Sequence, residues 1–336
     1  MRLEERATNQ AQDTILLHNV ADADGRRTLK KGTRLTAEHL AQLAEMGRNT
    51  VEVAVLGADD AHEDEAALAL AEAMQTEHLS YMRARGGRVN LRTAVDGLLQ
   101  VDAERLLAIN SLPGFAVATR RQRTVVGPNQ ETDNVATLKI VPFAVARRDL
   151  EQAVAWASAR PGVVEVRPFQ PGRRVAMLFV AEPSAQDRTR DEYRPPTQAR
   201  LAKLGAEIVA SEAVDLDEAA IAGAAARLAA SADLLIVAGQ TSILHDEDTT
   251  LRALRQAGAE TTLSGAPVEP GNLLALAYLP NCPVLCAPGC AKGLKRNVVD
   301  LVLPRLLLGD RLTRRDVAAL GLGGFLTAAE RGGDIT

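Results

Sequence analysis

The polar residues best suited to chemistry come directly after a short apolar segment in the carboxyl-terminal half of the chain. Residues 232–248 read ADLLIVAGQTSILHDED. The apolar residues 234–237 fit a buried strand better than a helix, and Gly239 lets the backbone turn where the strand ends. The polar residues that follow include Gln240, Thr241, Ser242, Asp246 and Asp248. An open parallel sheet builds its site in this way, at the carboxyl edge of its strands.

A second short apolar segment, residues 283–286, leads into Pro288 and Gly289. Parallel strands share a direction, so we expect the loops after both segments to leave the same edge of the sheet. The second loop adds Lys292 and the amino end of a helix predicted from about residue 294 to 308. Free backbone N–H groups and a helix amino terminus bind anions well.

The two aspartates of the first loop allow two interpretations. Asp246 and Asp248 can hold Mg²⁺, which takes one or two protein carboxylates together with substrate phosphate. Alternatively, they cap a helix predicted to begin near Thr249. With the first interpretation, the two loops predict a site for an anionic, phosphorylated small molecule and a divalent metal.

The three cysteines, Cys282, Cys286 and Cys290, are spaced by four residues. Prolines between them prevent a continuous helix, and three thiols are too few ligands for a zinc site or an iron–sulfur cluster. We expect Cys286 to be a buried strand residue, whereas Cys290 lies in the predicted site loop, where it can contact a ligand. So few cysteines in 336 residues form no disulfide framework and predict a reducing, cytoplasmic location.

Composition argues against several classes of function. The net charge of −4 gives no basic field for phosphate backbones, and 3% aromatic residues leave few platforms for base stacking. We therefore expect no nucleic-acid partner. The sequence has no secretory signal and no apolar stretch long enough to cross a membrane, so we expect no membrane partner either. The P-loop, dinucleotide-binding, H-E-x-x-H and G-x-S-x-G motifs are absent from the sequence.

Strands and helices alternate from Arg174 onward, which predicts a parallel sheet with helices on both faces. In this part we expect a long loop over residues 182–194 and then a helix over 196–204. Glycines, prolines and changes of pattern divide the chain into three predicted domains. They are a small α+β unit at 1–85, a second α+β unit at 86–170 and the α/β domain at 171–325.

Three features of the first two units bear on structure or function. The acidic run at residues 59–65 can be read as a metal site, but acidic residues also favour the first turn of a helix, and we prefer that interpretation. Lys139 lies in an otherwise apolar strand, where it either extends from the edge of a sheet or faces a ligand, and we prefer the first interpretation. The stretch after Leu91, up to Leu98, is predicted to be helical.

Residues 173–307 resemble the molybdopterin-binding domain shared by molybdopterin adenylyltransferases, molybdopterin molybdotransferases and competence-damage proteins. The similarity is carried, in order, by five segments: VAMLFVAEP, ARLAKLGAEIV, ADLLIVAGQTS, GAPVEPGNLLALAYL and PVLCAPGCAKGLKRNVVDLVLPRLL. The resemblance implies an α/β fold with a mostly parallel sheet in three layers. The first 170 residues are more loosely similar to the leading part of proteins of the molybdotransferase-related branch.

The resemblance also implies a site. Residues 239–242 and 288–290 would contact the phosphate and dithiolene end of the pterin, and Asp248, or Asp246 beside it, would ligate Mg²⁺ or position molybdate. The predicted cofactor-binding residues are Gly239, Gln240, Thr241, Ser242, Glu182, Pro270, Gly271, Pro288, Gly289, Cys290 and Lys292.

The activity that the resemblance implies is late in molybdenum-cofactor assembly. It is the Mg²⁺-assisted insertion of molybdate into free or adenylated molybdopterin (molybdopterin-AMP) by a homo-oligomeric transferase. A molybdoenzyme or its chaperone would receive the product. Gln240 replaces a glycine that is usual in the family, and Cys290 replaces an asparagine, which favours a second possibility, a non-catalytic cofactor carrier. A third is hydrolysis of a nucleotide derivative, as in the competence-damage proteins.

Overall fold

The computed structural model describes residues 1–22, 24–82, 85–128 and 133–326. The chain forms two compact units, Met1–Pro168 and Phe169–Thr336. Three buried hydrophobic clusters of the described residues, at 61–166, 176–286 and 11–53, each lie within one of the units. Among the described residues, no helix combines the length and the apolar character needed to cross a membrane.

The first unit is built from short antiparallel sheets and, in the residues that the structure describes, four α-helices. Its strands are β1 (Arg2–Ala7), β2 (Ile15–Leu16), β3 (Val20–Ala21), β4 (Arg27–Leu29), β5 (Thr50–Val55), β6 (Asp60–His62), β7 (Leu79–Tyr81), β8 (Arg88–Thr93), β9 (Gly97–Val101), β10 (Phe115–Thr119), β11 (Val125–Val126), β12 (Asn134–Ile140), β13 (Ala144–Ala146) and β14 (Val164–Pro168). Its helices are α1 (Ala37–Glu45), α2 (Glu63–Met74), α3 (Ala103–Asn110) and α4 (Arg147–Ser158). The largest sheet has the order β10-β12-β8-β7.

One segment of this unit that was predicted to be helical forms strands. The prediction of a helix between Leu91 and Leu98 is wrong, because these residues end β8 and begin β9. Alternate residues of β8 are buried, a period of two that suits a strand. The predicted boundary after residue 85 lies between β7 and β8, which pair with each other, and one hydrophobic cluster extends from Ala61 to Val166.

Helix α2 accounts for the acidic run. Glu63, Asp64 and Glu65 form its first turn, where carboxylates interact favourably with the helix dipole. Glu63 is buried, and its carboxylate lies 3.2 Å from the ammonium group of Lys139. Lys139 therefore has a structural partner within the protein. The expected edge position is wrong, because β12 pairs with β10 on one side and with β8 on the other.

The second unit is a six-stranded sheet with helices packed on both faces. Its strands are β15 (Arg173–Val180), β16 (Ala206–Val214), β17 (Leu234–Gly239), β18 (Glu260–Ser264), β19 (Ala275–Leu279) and β20 (Cys282–Ala287). Its helices are α5 (Gln186–Lys203), α6 (Glu218–Ala229), α7 (Thr249–Gln256), α8 (Val299–Leu307) and α9 (Arg314–Ala318). The strand order is β16-β15-β17-β20-β19-β18, and the first four strands run parallel.

Burial on both faces of β15 explains the three layers. Ala176, Leu178 and Val180 join one hydrophobic cluster with residues of α6 and α7. Met177 and Phe179 point to the other face and are also buried. Helix α5 contacts β15 and β17, and α8 contacts β20. The predicted α/β fold with a mostly parallel sheet is confirmed.

Helix α5 begins earlier than predicted. The predicted loop over residues 182–194 is wrong beyond residue 185, because the helix starts at Gln186 and contains two consecutive prolines, Pro195 and Pro196. Ion pairs within its first turns, Arg190 with Asp187 at 2.7 Å and Arg188 with Glu192 at 2.8 Å, stabilise the part that precedes the prolines.

Candidate functional site

Three neighbouring parallel strands end at one edge of the sheet. Val180 of β15 lies opposite Gly239 of β17, and Ala238 of β17 lies opposite Ala287 of β20. The segments that follow, residues 181–182, 239–242 and 288–290, therefore emerge side by side. We call these three segments the rim.

The second and third segments of the rim approach each other closely. A Cβ atom added to Gly289 would lie 3.7 Å from the hydroxyl oxygen of Ser242. A Cβ atom added to Gly239 would lie 2.7 Å from the carbonyl oxygen of Thr241, which is closer than real Cβ atoms come. Glycine is therefore required at residue 239 for the sharp bend that follows β17.

Gln240 links the first two segments of the rim. Its backbone N–H donates to the carbonyl of Val180 at 2.9 Å, and the backbone N–H of Glu182 donates to its side-chain oxygen at 2.9 Å. The side chain therefore binds the neighbouring loop. We call this contact the Gln240 clasp.

Other backbone groups of the rim remain available to a ligand. The N–H groups of Thr241, Ser242 and Gly289 donate no hydrogen bond to any residue in the described part of the chain. Backbone N–H groups grouped at a bend attract anions because they carry partial positive charge. The rim is therefore suited to the oxygens of a phosphate or a similar anion.

The two aspartates have separate partners. Asp248 is the N-cap of α7, with its Oδ1 accepting the backbone N–H of Thr250 at 2.9 Å, as the alternative interpretation of the sequence expects. Asp246 accepts a hydrogen bond from the hydroxyl of Ser264 at the end of β18. The described residues contain no group of three or more histidine, cysteine, aspartate or glutamate side chains that could hold a metal.

Asp248 still fits a ligand-assisted magnesium site. Its Oδ2 makes no hydrogen bond to a described residue. Burial raises the pKa of Cys286 to about 12, and the negative charge of Asp248 adds to this shift. The carboxylate of Asp248 therefore lies near the end of β20. One such oxygen together with ligand phosphate is a common way of binding Mg²⁺ in proteins.

A buried arginine that the sequence analysis missed holds the loop after β20. Only 3% of Arg200 is exposed, and its guanidinium pairs with Asp300 at 2.8 Å. It also donates to the backbone carbonyls of Ala291, Gly293 and Lys295, at 3.2, 2.8 and 3.3 Å. Five planar N–H donors allow one arginine to fix a whole loop.

Asn297 continues this support and delays the start of α8. It is 1% exposed, its amide donates to the carbonyl of Cys290 at 3.2 Å, and its oxygen accepts the N–H of Val299 at 2.9 Å. The helix predicted from about residue 294 therefore begins at Val299. A short 3₁₀ turn, Gly289–Lys292, stands in place of the helix amino terminus expected behind Pro288.

Lys292 and Cys290 belong to a contact with α5. The ammonium group of Lys292 lies 2.6 Å from the carboxylate of Glu192 and 5.2 Å from the centre of the Tyr193 ring. Burial raises the pKa of Cys290 to about 11, while the nearby positive charge of Arg200 opposes the shift. Burial also raises the pKa of Tyr193 to about 12, and the charge of Cys290 adds to it. Cys290 is therefore a neutral thiol at physiological pH.

Pro270 and Gly271 support α8. The carbonyl of Pro270 accepts the backbone N–H of Val298 at 3.2 Å. Gly271 has a φ of 129°, and a Cβ atom there would lie 2.3 Å from Cγ1 of Val298. These two residues pack directly against the start of α8, next to Asn297. Their described contacts are structural.

Comparisons with known proteins identify the domain that carries the rim. Residues 174–307 match the family described as "Probable molybdopterin binding domain", and residues 5–55 match a family described as a domain of unknown function. No curated protein matches the chain.

Solved structures with molybdenum-cofactor titles are also similar. A molybdenum cofactor biosynthesis protein from Pyrococcus furiosus is 11% identical over 91% of this chain and 63% of its own, with a TM-score of 0.26. The molybdopterin biosynthesis enzyme MoaB from Thermus thermophilus is 18% identical over 41% of this chain and 98% of its own, with a TM-score of 0.31. A molybdopterin biosynthesis MoeA protein from Pyrococcus horikoshii is 12% identical over 92% and 75%, with a TM-score of 0.31.

This chain thus spans less than two thirds of the length of the Pyrococcus furiosus protein. The assignment of the second unit depends on the family match, which covers β15 to α8 and includes most of the rim's supports. Residues 174–307 belong to the molybdopterin-binding domain family of molybdenum-cofactor biosynthesis.

Proposed function

We propose that the rim binds molybdopterin through its terminal phosphate. The observation that supports this most directly is the set of backbone N–H groups of Thr241, Ser242 and Gly289, which donate to no described residue. Ser242 adds a hydroxyl beside the second bend. The Gln240 clasp and Arg200 hold the surrounding loops, so the donors are positioned before the ligand arrives.

We further propose that the protein acts late in cofactor assembly, inserting molybdate into adenylated molybdopterin with release of AMP. Asp248 would hold Mg²⁺ through Oδ2, together with phosphate oxygens of the ligand. Mg²⁺, when bound, would supply positive charge to the phosphates. In the step itself, water adds to one phosphorus of the pyrophosphate link and the P–O bond breaks, so that AMP leaves and the pterin keeps its phosphate. In this proposal the protein's own residues bind and orient the phosphate at the rim. The carboxylate of Asp246, which accepts the Ser264 hydroxyl, supports the loop.

The test is incubation of the full chain with molybdopterin-AMP, molybdate and Mg²⁺, followed by measurement of AMP. Asp248→Asn should lower AMP release by ~100-fold, because it removes the metal-binding charge. Asparagine caps helices about as well as aspartate, so this variant should keep its stability. Asp248→Ala removes both charge and cap and should also lose about 1 kcal/mol of stability. AMP release that is unchanged in Asp248→Asn would contradict the role of this residue.

A second candidate is a non-catalytic carrier of the cofactor. It is favoured because Asp248 and Asp246 both have structural partners in the described part of the chain. A carrier would bind molybdopterin tightly, release no AMP with any metal, and bind equally well after Asp248→Asn. Mass spectrometry of the small molecule that co-purifies with the protein would show which form it holds. Absence of any pterin binding by the full chain would contradict both candidates.

A further inference from the structure

A cavity of about 270 Å³ opens at the edge of the sheet opposite the rim. It lies at the start of β15, the turn between β19 and β20, and the loop after α8. Its lining combines two arginines with an apolar wall. The wall is formed by Tyr278, Leu279, Pro280, Pro283 and Leu306. Small-molecule sites commonly have this combination of apolar walls and a few polar groups.

Arg173 carries the strongest sign of a ligand. Its Nε is buried and donates no hydrogen bond to any described residue. The guanidinium contacts a neutral group, the side-chain oxygen of Gln170, at 3.2 Å. Buried donors without a partner are uncommon in folded proteins, because each loses its hydrogen bonds to water. A charged donor of this kind at a cavity wall calls for an acceptor in the cavity.

Arg311 places a second guanidinium on the cavity. Its central carbon lies 4.3 Å from the centre of the Tyr278 ring, and its side chain also pairs with Glu260. The ring of Tyr278 stacks on this guanidinium and restricts its motion. Arg311 therefore loses little further side-chain freedom when a ligand binds.

The two acids of the cavity are bound elsewhere. Oδ2 of Asp233 accepts the backbone N–H of Arg174 at 2.8 Å. Oδ2 of Asp310 accepts Nε of Arg305 at 3.0 Å. These bonds orient the two carboxylates toward structural partners, whereas the described contacts of Arg173 include no carboxylate.

We propose that this cavity binds a small organic anion, with a carboxylate or phosphate head at Arg173 and Arg311 and an apolar body against Tyr278 and Leu306. Guanidinium groups bind both kinds of oxyanion through charge-assisted hydrogen bonds. The volume admits a ligand about the size of a single substituted ring. This site is separate from the rim and does not depend on the proposed function.

The test uses phenyl phosphate, benzoate and inorganic phosphate as probes in titration calorimetry of the full chain at constant ionic strength. We expect saturable binding of at least one aromatic probe. Tighter binding of phenyl phosphate would indicate a phosphate head group, and tighter binding of benzoate a carboxylate. Arg173→Gln should weaken this binding by at least ~10-fold, and Arg173→Lys by less, because lysine keeps the charge. The matched control is Arg227→Gln, which changes an exposed arginine that pairs with Glu212 outside the cavity lining and should leave binding unchanged.

Several results would overturn the proposal. One is that neither aromatic probe binds saturably. Another is equal weakening by Arg173→Gln and Arg227→Gln, which would indicate a general effect of surface charge. Thermal unfolding of each variant shows whether it is folded. If Arg173→Gln does not fold, Arg311→Gln tests the other arginine of the cavity in the same way. Pterin binding at the rim should stay unchanged in these variants, so failure of one site leaves the other testable.

Discussion

The guanidinium of Arg200 makes several hydrogen bonds that hold the loop beside the rim. It connects α5 to the loop after β20 through three carbonyls and one carboxylate. A buried ion pair is costly to break, because the remaining charge stays in a medium of low polarity. The conformation of residues 291–295 therefore depends on a side chain about ninety residues earlier.

We predict that Arg200→Met lowers the free energy of unfolding by about 3–5 kcal/mol, since Asp300 then lacks its ion-pair partner and keeps only the backbone N–H of Asn297. Urea denaturation followed by circular dichroism measures the change. The matched control is Arg188→Met on the same helix, where the exposed pair with Glu192 should contribute less than about 1 kcal/mol. Equal effects of the two substitutions would show that the Arg200 network does not stabilise the fold.

The pKa of Cys290, raised to about 11, gives a second prediction. Only the thiolate reacts with iodoacetamide, so ~0.1% of this side chain should be reactive at pH 8. We expect the alkylation rate to rise ~10-fold for each pH unit between 8 and 10. Cys290→Ser should remove this reaction, because Cys282 and Cys286 are buried. Fast labelling that is independent of pH would contradict the raised pKa.

Sequence alone predicts some of these residues and misses others for a physical reason. The cap formed by Asp248 is a local pattern, an acid directly before a helix, and was open to prediction. The roles of Arg200 and Asn297 depend on contacts with loops that only the folded chain brings near. An arginine inside a helix carries no local sign of whether it faces solvent or a set of carbonyls.

At the scale of elements, strands that end together create the rim. The apolar segments at β17 and β20 predict both strands, because a buried parallel strand is apolar on both faces. The start of α5 is harder to predict, because prolines usually end or begin a helix, whereas Pro195 and Pro196 lie inside this one. The rim's position follows from strand order and its detailed shape follows from side-chain contacts.

Gly239 allows a prediction about the end of β17. Gly239→Ala places a methyl group 2.7 Å from the carbonyl of Thr241, so the bend must change. We expect pterin affinity to fall by ~10-fold or more, because the donors of Thr241 and Ser242 move with the bend. Binding measured by fluorescence of the pterin would show this.

The matched control is Gly223→Ala in α6, where the added methyl meets only the mobile end of Arg227. Alanine favours helices, so this variant should be about 0.5–1 kcal/mol more stable and bind normally. Normal pterin binding by folded Gly239→Ala would mean that the bend does not position the ligand.

At the scale of the whole molecule, each unit contains buried hydrophobic residues that cluster within it. We predict that residues 169–336 expressed alone fold with a single cooperative transition, because β15 to α9 already bury a core of their own. Thermal unfolding by circular dichroism measures this. A control fragment that begins at residue 182 lacks β15, which lies between β16 and β17, and should not fold. A fragment 169–336 without a cooperative transition would show that the second unit requires the first.

The Gln240 clasp has a consequence for selectivity among anions. The amide of Gln240 occupies the backbone N–H of Glu182, so a bound phosphate reaches that donor only by displacing the amide. The side-chain oxygen of Gln240 thus competes with a bound anion for the backbone N–H of Glu182. We expect anions that approach from the side of β17 and β20 to meet no such competition, so an asymmetric ligand would bind with its charged end toward Ser242 and Gly289.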